Sequence, residues 1–307
     1  MRVTLKSPKP AQSLKGVRIL SLSPNLPGPA ALQRCRQMGA TCIKVEPPAP
    51  ISPPGSPTTD VTGDPMSIYS PTGYRALHLG IRVLAANLKT DAGQKILRRE
   101  LAKAQVLLTS FRPSALTKLG LDWRTLHRAY PQLSMVAIFG DSGAHAEHPG
   151  HDLTYVAQAG LLPGLELPAT LYADMAGSLM ASEAILQAVL LQRQKNQGHW
   201  HEVSLTAAAT HLAQPRIWGS MAADTLLGGG HAGYRIYPCL DGRVALAALE
   251  PHFARSLCLV AGVAWTDFGV MLVPATRQAI AEFVSKLSRQ ALEALSQQHD
   301  IPLHTLP

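Results

Sequence analysis

Short apolar runs alternate with longer amphipathic stretches through the first half of the chain. Val17–Leu22, Thr41–Val45, Val83–Leu88, Val106–Thr109 and Leu133–Phe139 read as buried strands. Between them, Pro29–Met38 and residues 91–103 and 122–129 have helical character, and Gly39 follows the first as a natural C-cap. This alternation predicts an open, mainly parallel α/β sheet with flanking helices. Residues 47–73, rich in Pro, Gly, Ser and Thr, read as a long loop of the kind that usually carries function. After Gly140 the pattern changes. Gly140–Gly150 is loop-like, 173–195 is a long Ala- and Leu-rich helix, and 204–222 continues helical. Beyond Gly228-Gly229-Gly230, Tyr234–Pro238 and Val244–Leu249 read as strands, and 251–261 and 275–297 as helices. The expected organisation is a large α/β domain over 1–195, ending in the linking helix 173–195, and a smaller α+β domain over 196–307.

Composition narrows the classes. Of 307 residues, 46% are hydrophobic and 16% charged, which excludes a disordered chain. The formal charge of +8 raises three partners: nucleic acid, an anionic membrane or a polyanionic small molecule. The basic residues are scattered, with their densest groups at Arg34/Arg36 and Lys95/Arg98/Arg99. Clustered Lys/Arg with interleaved aromatics is missing, so a phosphate-bearing cofactor is expected rather than nucleic acid. Cys35, Cys42, Cys239 and Cys258 form no CxxC pair and have no His at zinc spacing, so buried free thiols, no metal and a reducing cytoplasm are expected. The opening MRVTLKSPKPAQSLKG has no apolar h-region, so no signal peptide is expected. Glu183 interrupts the most apolar stretch, Leu179–Leu191, so no membrane span is expected either. The glycines form no GxGxxG, which removes the case for a nicotinamide dinucleotide.

Five polar residues stand in contexts that invite chemistry. Arg112 follows a predicted strand in Ser110-Phe111-Arg112-Pro113; His151 and Asp152 sit at a loop-to-helix junction; Asp174 opens the long helix; Glu250 lies between an apolar run and Pro251. Each has a plain alternative. Asp152 and Asp174 suit helix N-caps, Glu250 suits a first helical turn, His151 a surface loop, and Arg112 a solvated strand end.

The surrounding words point further. Leu14-Lys15-Gly16-Val17-Arg18-Ile19-Leu20, Gly28-Pro29, Gly39-Ala40 with Ile43-Lys44-Val45-Glu46-Pro47-Pro48, and Gly63-Asp64-Pro65 follow one another in order. Phe111-Arg112-Pro113, Leu119-Gly120-Leu121 and Pro131-Gln132-Leu133 continue the series. From about residue 14 to 253 the chain resembles the family III coenzyme A transferases. Gly150-His151-Asp152, Leu227-Gly228-Gly229-Gly230, Tyr234, Tyr237, Asp241-Gly242 and Leu249-Glu250-Pro251-His252-Phe253 make it most similar to their α-methylacyl-CoA racemase branch.

That resemblance implies the family III fold, an acyl-CoA substrate and a homodimer of interlocked chains. It assigns His151 and Asp174 to opposite faces of the reacting carbon, with Asp174 held ionised by the helix dipole. It gives Glu250 the orientation of the His151 imidazole, Asp152 the support of the loop or oxyanion site, and Arg112 the carboxylate network or thioester end. Lys44, Arg82 and Lys89 fall in cofactor-facing segments and become candidates for phosphate or adenine contacts. Two other readings follow from the same residues. In a coenzyme A transferase, Asp174 would be the nucleophile and form an acyl anhydride. The third reading is a non-catalytic coenzyme A-binding paralogue. It draws on the departures: Gly80-Ile81-Arg82 for the usual Gly-Lys-Arg, Ala86-Asn87-Leu88-Lys89 for Leu-Asp-Leu-Lys, a short segment between Asp152 and Asp174, and an end at Pro307 where members continue back to the large domain.

Overall fold

The computed structural model describes residues 11–50 and 62–307. The first ten positions of the opening segment and the middle of the predicted 47–73 loop lie outside the described residues. The chain divides into two compact units, one reaching to Ala213 and the other spanning Gln214–Pro307.

The first unit is built on six strands: β1 (Arg18–Ser21), β2 (Thr41–Glu46), β3 (Arg82–Ala85), β4 (Val106–Thr109), β5 (Ser134–Phe139) and β6 (Trp200–Ser204). They form one sheet in the order β3-β2-β1-β4-β5-β6, with every pair parallel. The expected parallel α/β architecture is therefore present, with a sixth strand added beyond the five apolar runs. Helices connect the strands: α1 (Pro27–Gln37), α2 (Met66–Tyr69), α3 (Pro71–His78), α4 (Asp91–Leu101), α5 (Pro113–Lys118), α6 (Trp123–Ala129), α7 (Asp152–Gln158), α8 (Tyr172–Lys195) and α9 (Leu205–Leu212).

The central strands are apolar along their whole length because both faces are covered, as parallel sheets require. Alternate residues serve opposite layers. Ile19, Val106, Leu108, Val136 and Ile138 pack with Cys35 of α1 and Ile185 of α8. Leu20, Leu107, Met135 and Ala137 pack with Leu97 of α4 and Leu126 of α6 on the other side. Helix starts are capped as the sequence allows: Thr90 accepts from the Gly93 N–H, Asp122 from Thr125 and Ser204 from Ala207. Helix α8 is long and apolar enough to cross a bilayer by composition alone, but half of that stretch is buried within the protein.

The second unit pairs β7 (Tyr234–Cys239), β8 (Gly242–Ala247) and β9 (Leu303–Leu306) in an antiparallel sheet. After the short α10 (Gln214–Ile217), the helices are α11 (Pro251–Val260), α12 (Pro274–Ser285) and α13 (Arg289–His299). Tyr237, Val244, Leu246, Leu257, Ile280, Val284 and Leu292 make its separate core. The stretch expected as one helix over 275–297 is two. Ser288 adopts an extended backbone and caps α13 through the Ala291 N–H, so the chain turns there.

Beneath the C-terminal ends of β2 and β3 lies a buried ionic group. Lys44 is fully buried, and its ammonium donates to Asp64, to Glu46 at 3.0 Å and to His78 Nε2 at 3.0 Å. Burial and the adjacent Lys44 push the His78 pKa down, so the ring is neutral; its Nδ1–H donates to the Tyr74 carbonyl at 2.7 Å. The Tyr74 hydroxyl donates to Glu46 at 3.1 Å. Glu46, Asp64 and His78 come close enough together to ligate a metal, and Lys44 supplies the positive charge at their centre.

Candidate active site

In the strand order 3-2-1-4-5-6 the chain winds one way from β1 to β3 and the other way from β4 to β6. Loops leaving β1 and β4 therefore part at the C-terminal edge of the sheet and open a crevice, the usual ligand position in such folds. A pocket of about 150 Å³ occupies this crevice, lined by residues that include Asn25, Ser110, Arg112, His151, Tyr155 and Asp174.

Each wall is positioned by a specific local device. After β1, Ser23 hydrogen-bonds across to Ser110 after β4 at 2.7 Å, tying the two loops together. Gly28 is required there, because a Cβ would stand 2.0 Å from Ser23 Oγ. Asn25 adopts the left-handed region at φ 61. Its N–H donates to Asp64 Oδ1 at 3.1 Å and its side-chain oxygen accepts from the Tyr69 hydroxyl at 3.2 Å. The buried Lys44–Asp64 pair thus anchors the front of the pocket. Arg112 is the N-cap residue of α5, and the next turn is tied to the β5–α7 loop by Ser114, whose N–H and hydroxyl both donate to Glu147.

His151 is the N-cap residue of α7. Its N–H donates to Thr154 Oγ1 at 3.1 Å. Tyr155 reaches into the pocket over Gly140 and Gly150, where a Cβ would fall 2.2 and 2.5 Å from its hydroxyl.

Asp152 opens α7, yet it caps a different helix. Its Oδ1 accepts the Asp174 backbone N–H at 2.9 Å, in the first turn of α8, where the N-cap residue Leu171 offers no side-chain acceptor. The carboxylate that satisfies α8 therefore stands beside the Asp174 carboxyl. Burial, and then the charge of Asp152, push the Asp174 pKa up to about 7. The expectation that the helix start would hold Asp174 ionised fails for this reason: desolvation and a like charge outweigh the dipole. Tyr155 has its pKa raised by burial and then by Asp174, while Arg112 lowers it, so all three share one electrostatic neighbourhood.

Four of the five chemically suggestive residues thus meet at one crevice: Arg112, His151 and Asp174 line it and Asp152 backs it. Glu250 lies in the second unit as the N-cap residue of α11, exposed and without a side-chain cap hydrogen bond. Lys44, Arg82 and Lys89 are not gathered into one cluster. Lys44 is buried with its donors engaged, Lys89 is exposed in the turn after β3 at the pocket's edge of the sheet, and Arg82 begins β3 at the opposite edge. Asn25, Ser110 and Tyr155 were not singled out from the sequence. Gly140 and Gly150, fifteen and five residues before Tyr155, were the available sign that a large side chain crosses the loop.

Comparison with known proteins adds an independent line. The model of CoA-transferase family III matches residues 14–306. The α-methylacyl-CoA racemase of Mus musculus is 30% identical over 258 residues, covering 78% of this chain and 62% of the relative. The succinate–glutarate CoA-transferase of Agrobacterium fabrum is 28% identical, covering 81% of this chain and 66% of the relative. The chain thus spans somewhat under two thirds of the racemase's length. A CaiB/BaiF family protein from Brucella suis superimposes with a TM-score of 0.75 at 22% identity, covering 96% of this chain and 84% of that one.

Proposed function

This chain belongs to CoA-transferase family III, and from that premise we propose that it moves a proton on and off the carbon beside an acyl-CoA thioester, as an α-methylacyl-CoA racemase does. The observation that carries the reading is Asp174, raised to about 7, in the same pocket as the His151 imidazole.

The α-proton of a thioester is weakly acidic, so its removal needs a base at hydrogen-bond distance and relief of the charge that builds on the thioester oxygen. A carboxyl with a pKa near 7 is present in both forms at neutral pH, the condition under which one group can take and return a proton. Asp174 as carboxylate accepts the α-proton; the electron pair passes into the enolate; the His151 imidazolium returns a proton to the other face. In the reverse direction the two exchange roles. Arg112 is the pocket's cation and is placed to offset charge on the thioester oxygen. Asp152 keeps Asp174 poised by holding the start of α8. Glu250 is proposed to orient the imidazole, and Lys89 to meet the coenzyme A phosphates at the near edge. The working form is proposed to be an interlocked homodimer in the cytoplasm.

A second reading is favoured by the transferase relative: Asp174 attacks the thioester carbonyl to form an acyl anhydride and release the coenzyme A thiolate, and the thiolate attacks the Asp174 carbonyl and expels the first acid as its carboxylate. An acceptor carboxylate then displaces the thiolate to form a second anhydride, whose acceptor carbonyl the thiolate attacks to give the new thioester and free Asp174. Single-epimer 2-methylacyl-CoA substrates separate the two. Proton transfer predicts that His151→Ala and Asp174→Ala each lower inversion by about 10²–10⁴-fold. Coenzyme A transfer predicts that Asp174→Ala is inactive, His151→Ala is mildly impaired, and turnover needs an added carboxylic acid.

A further inference from the structure

At the N-terminal edge of the same sheet, opposite the catalytic crevice, three arginines line a cavity of about 710 Å³. Arg18 begins β1, Arg82 begins β3, and Arg36 comes from the last turn of α1. We propose that this cavity is a second binding site, for a small molecule bearing a phosphoryl or pyrophosphoryl group.

Charge is the first argument. Among the described residues no carboxylate lines the cavity. Glu100, the one acid bonded to Arg18, is shared: one oxygen accepts from Arg18 at 2.8 Å and the other from Arg99 at 3.1 Å. The guanidinium groups of Arg36 and Arg82 make no hydrogen bond or ion pair among the described residues. Arg18 Nε is buried without a partner among them. A buried donor left without an acceptor is costly, and native proteins rarely leave one so. Two uncompensated guanidinium groups and an orphan N–H around one concavity call for an anion with several acceptor oxygens.

Shape is the second argument. The Arg36 guanidinium lies directly over Gly80, where a Cβ would fall 2.3 Å from Nε and 2.4 Å from Nη2. Gly80 has φ +72, so the backbone there leaves room for the Arg36 guanidinium at the cavity wall. A solvated surface arginine needs no such accommodation. The volume suits a nucleotide-sized ligand as well as a bare anion. Along β1 to β3 the strands run from this cavity toward the catalytic edge, so a ligand here leaves the crevice open.

The test is calorimetric titration of the full chain with pyrophosphate at low ionic strength, with orthophosphate and ADP as parallel probes of size. Wild-type protein is expected to bind pyrophosphate. Arg36→Ala and Arg82→Ala should each weaken binding by about tenfold or more, as loss of a charge-assisted hydrogen bond does. Arg82→Lys, which keeps the charge and loses the planar fork, should fall between. Asp174→Ala should bind as wild type does, and acetyl-CoA titrated into pyrophosphate-saturated protein should show unaltered affinity. No heat with wild-type protein overturns the proposal, as does equal binding by the Arg36→Ala/Arg82→Ala double variant. Competition between acetyl-CoA and pyrophosphate also overturns it, by making the cavity part of the thioester site. Failure of the thioester reading would leave the pyrophosphate result standing.

Discussion

Asp174→Asn should stabilise the protein at pH 8 and leave it nearly unchanged at pH 4. In the folded chain the carboxyl has its pKa raised from 3.8 to about 7, by burial first and Asp152 second. The fold therefore favours the protonated form. That contribution is complete below pH 4, declines as pH rises, and is lost once pH passes 7. The amide keeps the shape of the protonated carboxyl and never ionises. Between pH 5 and pH 7 the difference grows by at most about 1.4 kcal/mol per pH unit, a ceiling near ~2.7 kcal/mol. Asp174 is only half-buried, and solvent screening brings the expected gain to about 1 kcal/mol. Urea unfolding of both proteins at pH 5, 6, 7 and 8, followed through the first unit's tryptophans, reads the gap directly. A gap that widens with pH supports the raised carboxyl. A gap that is flat, or that shrinks as pH rises, refutes it, and with it the base assigned to Asp174.

Three more outcomes follow from the same structure. Lys44→Met leaves Asp64 and Glu46 buried without their cation and should cost about 3–5 kcal/mol in urea unfolding; a cost below about 1 kcal/mol would mean that the group is not the anchor described. Asp152→Asn removes the second cause of the Asp174 shift, so the rising limb of the pH–rate profile should move to lower pH; an unmoved limb contradicts the coupling. Glu250→Gln should lower turnover while leaving acetyl-CoA affinity unchanged; equal turnover removes the role proposed for Glu250.

Most of the parallel sheet was legible because its inner strands are buried on both faces and read as unbroken apolar runs, as β4 and β5 do. Strand β6 was missed for the opposite reason. Trp200-His201-Glu202-Val203-Ser204 is an edge strand with three residues at least partly exposed, so it carries polar side chains and no run. Strand β9, with its polar His304 and Thr305, hid in the same way. Among site residues, the contexts of Arg112, His151, Asp152 and Asp174 were visible in the sequence. The sequence could not show that Asp152 caps α8 across twenty-two residues, which sets a like charge beside Asp174 and adds to the burial that raises its pKa. Nor could it show that Lys44 turns inward. A lysine in a strand reads as a solvent-facing charge until its partners arrive, Asp64 from a loop and His78 from the end of α3.

Proton transfer at the α-carbon is read most directly as deuterium uptake from solvent. Wild-type protein incubated with one epimer of a 2-methylacyl-CoA in deuterium oxide, with no acceptor acid present, should yield thioester one mass unit heavier and of both configurations. Recovery of unlabelled thioester in its original configuration, under conditions where the chain binds that thioester, would contradict the account.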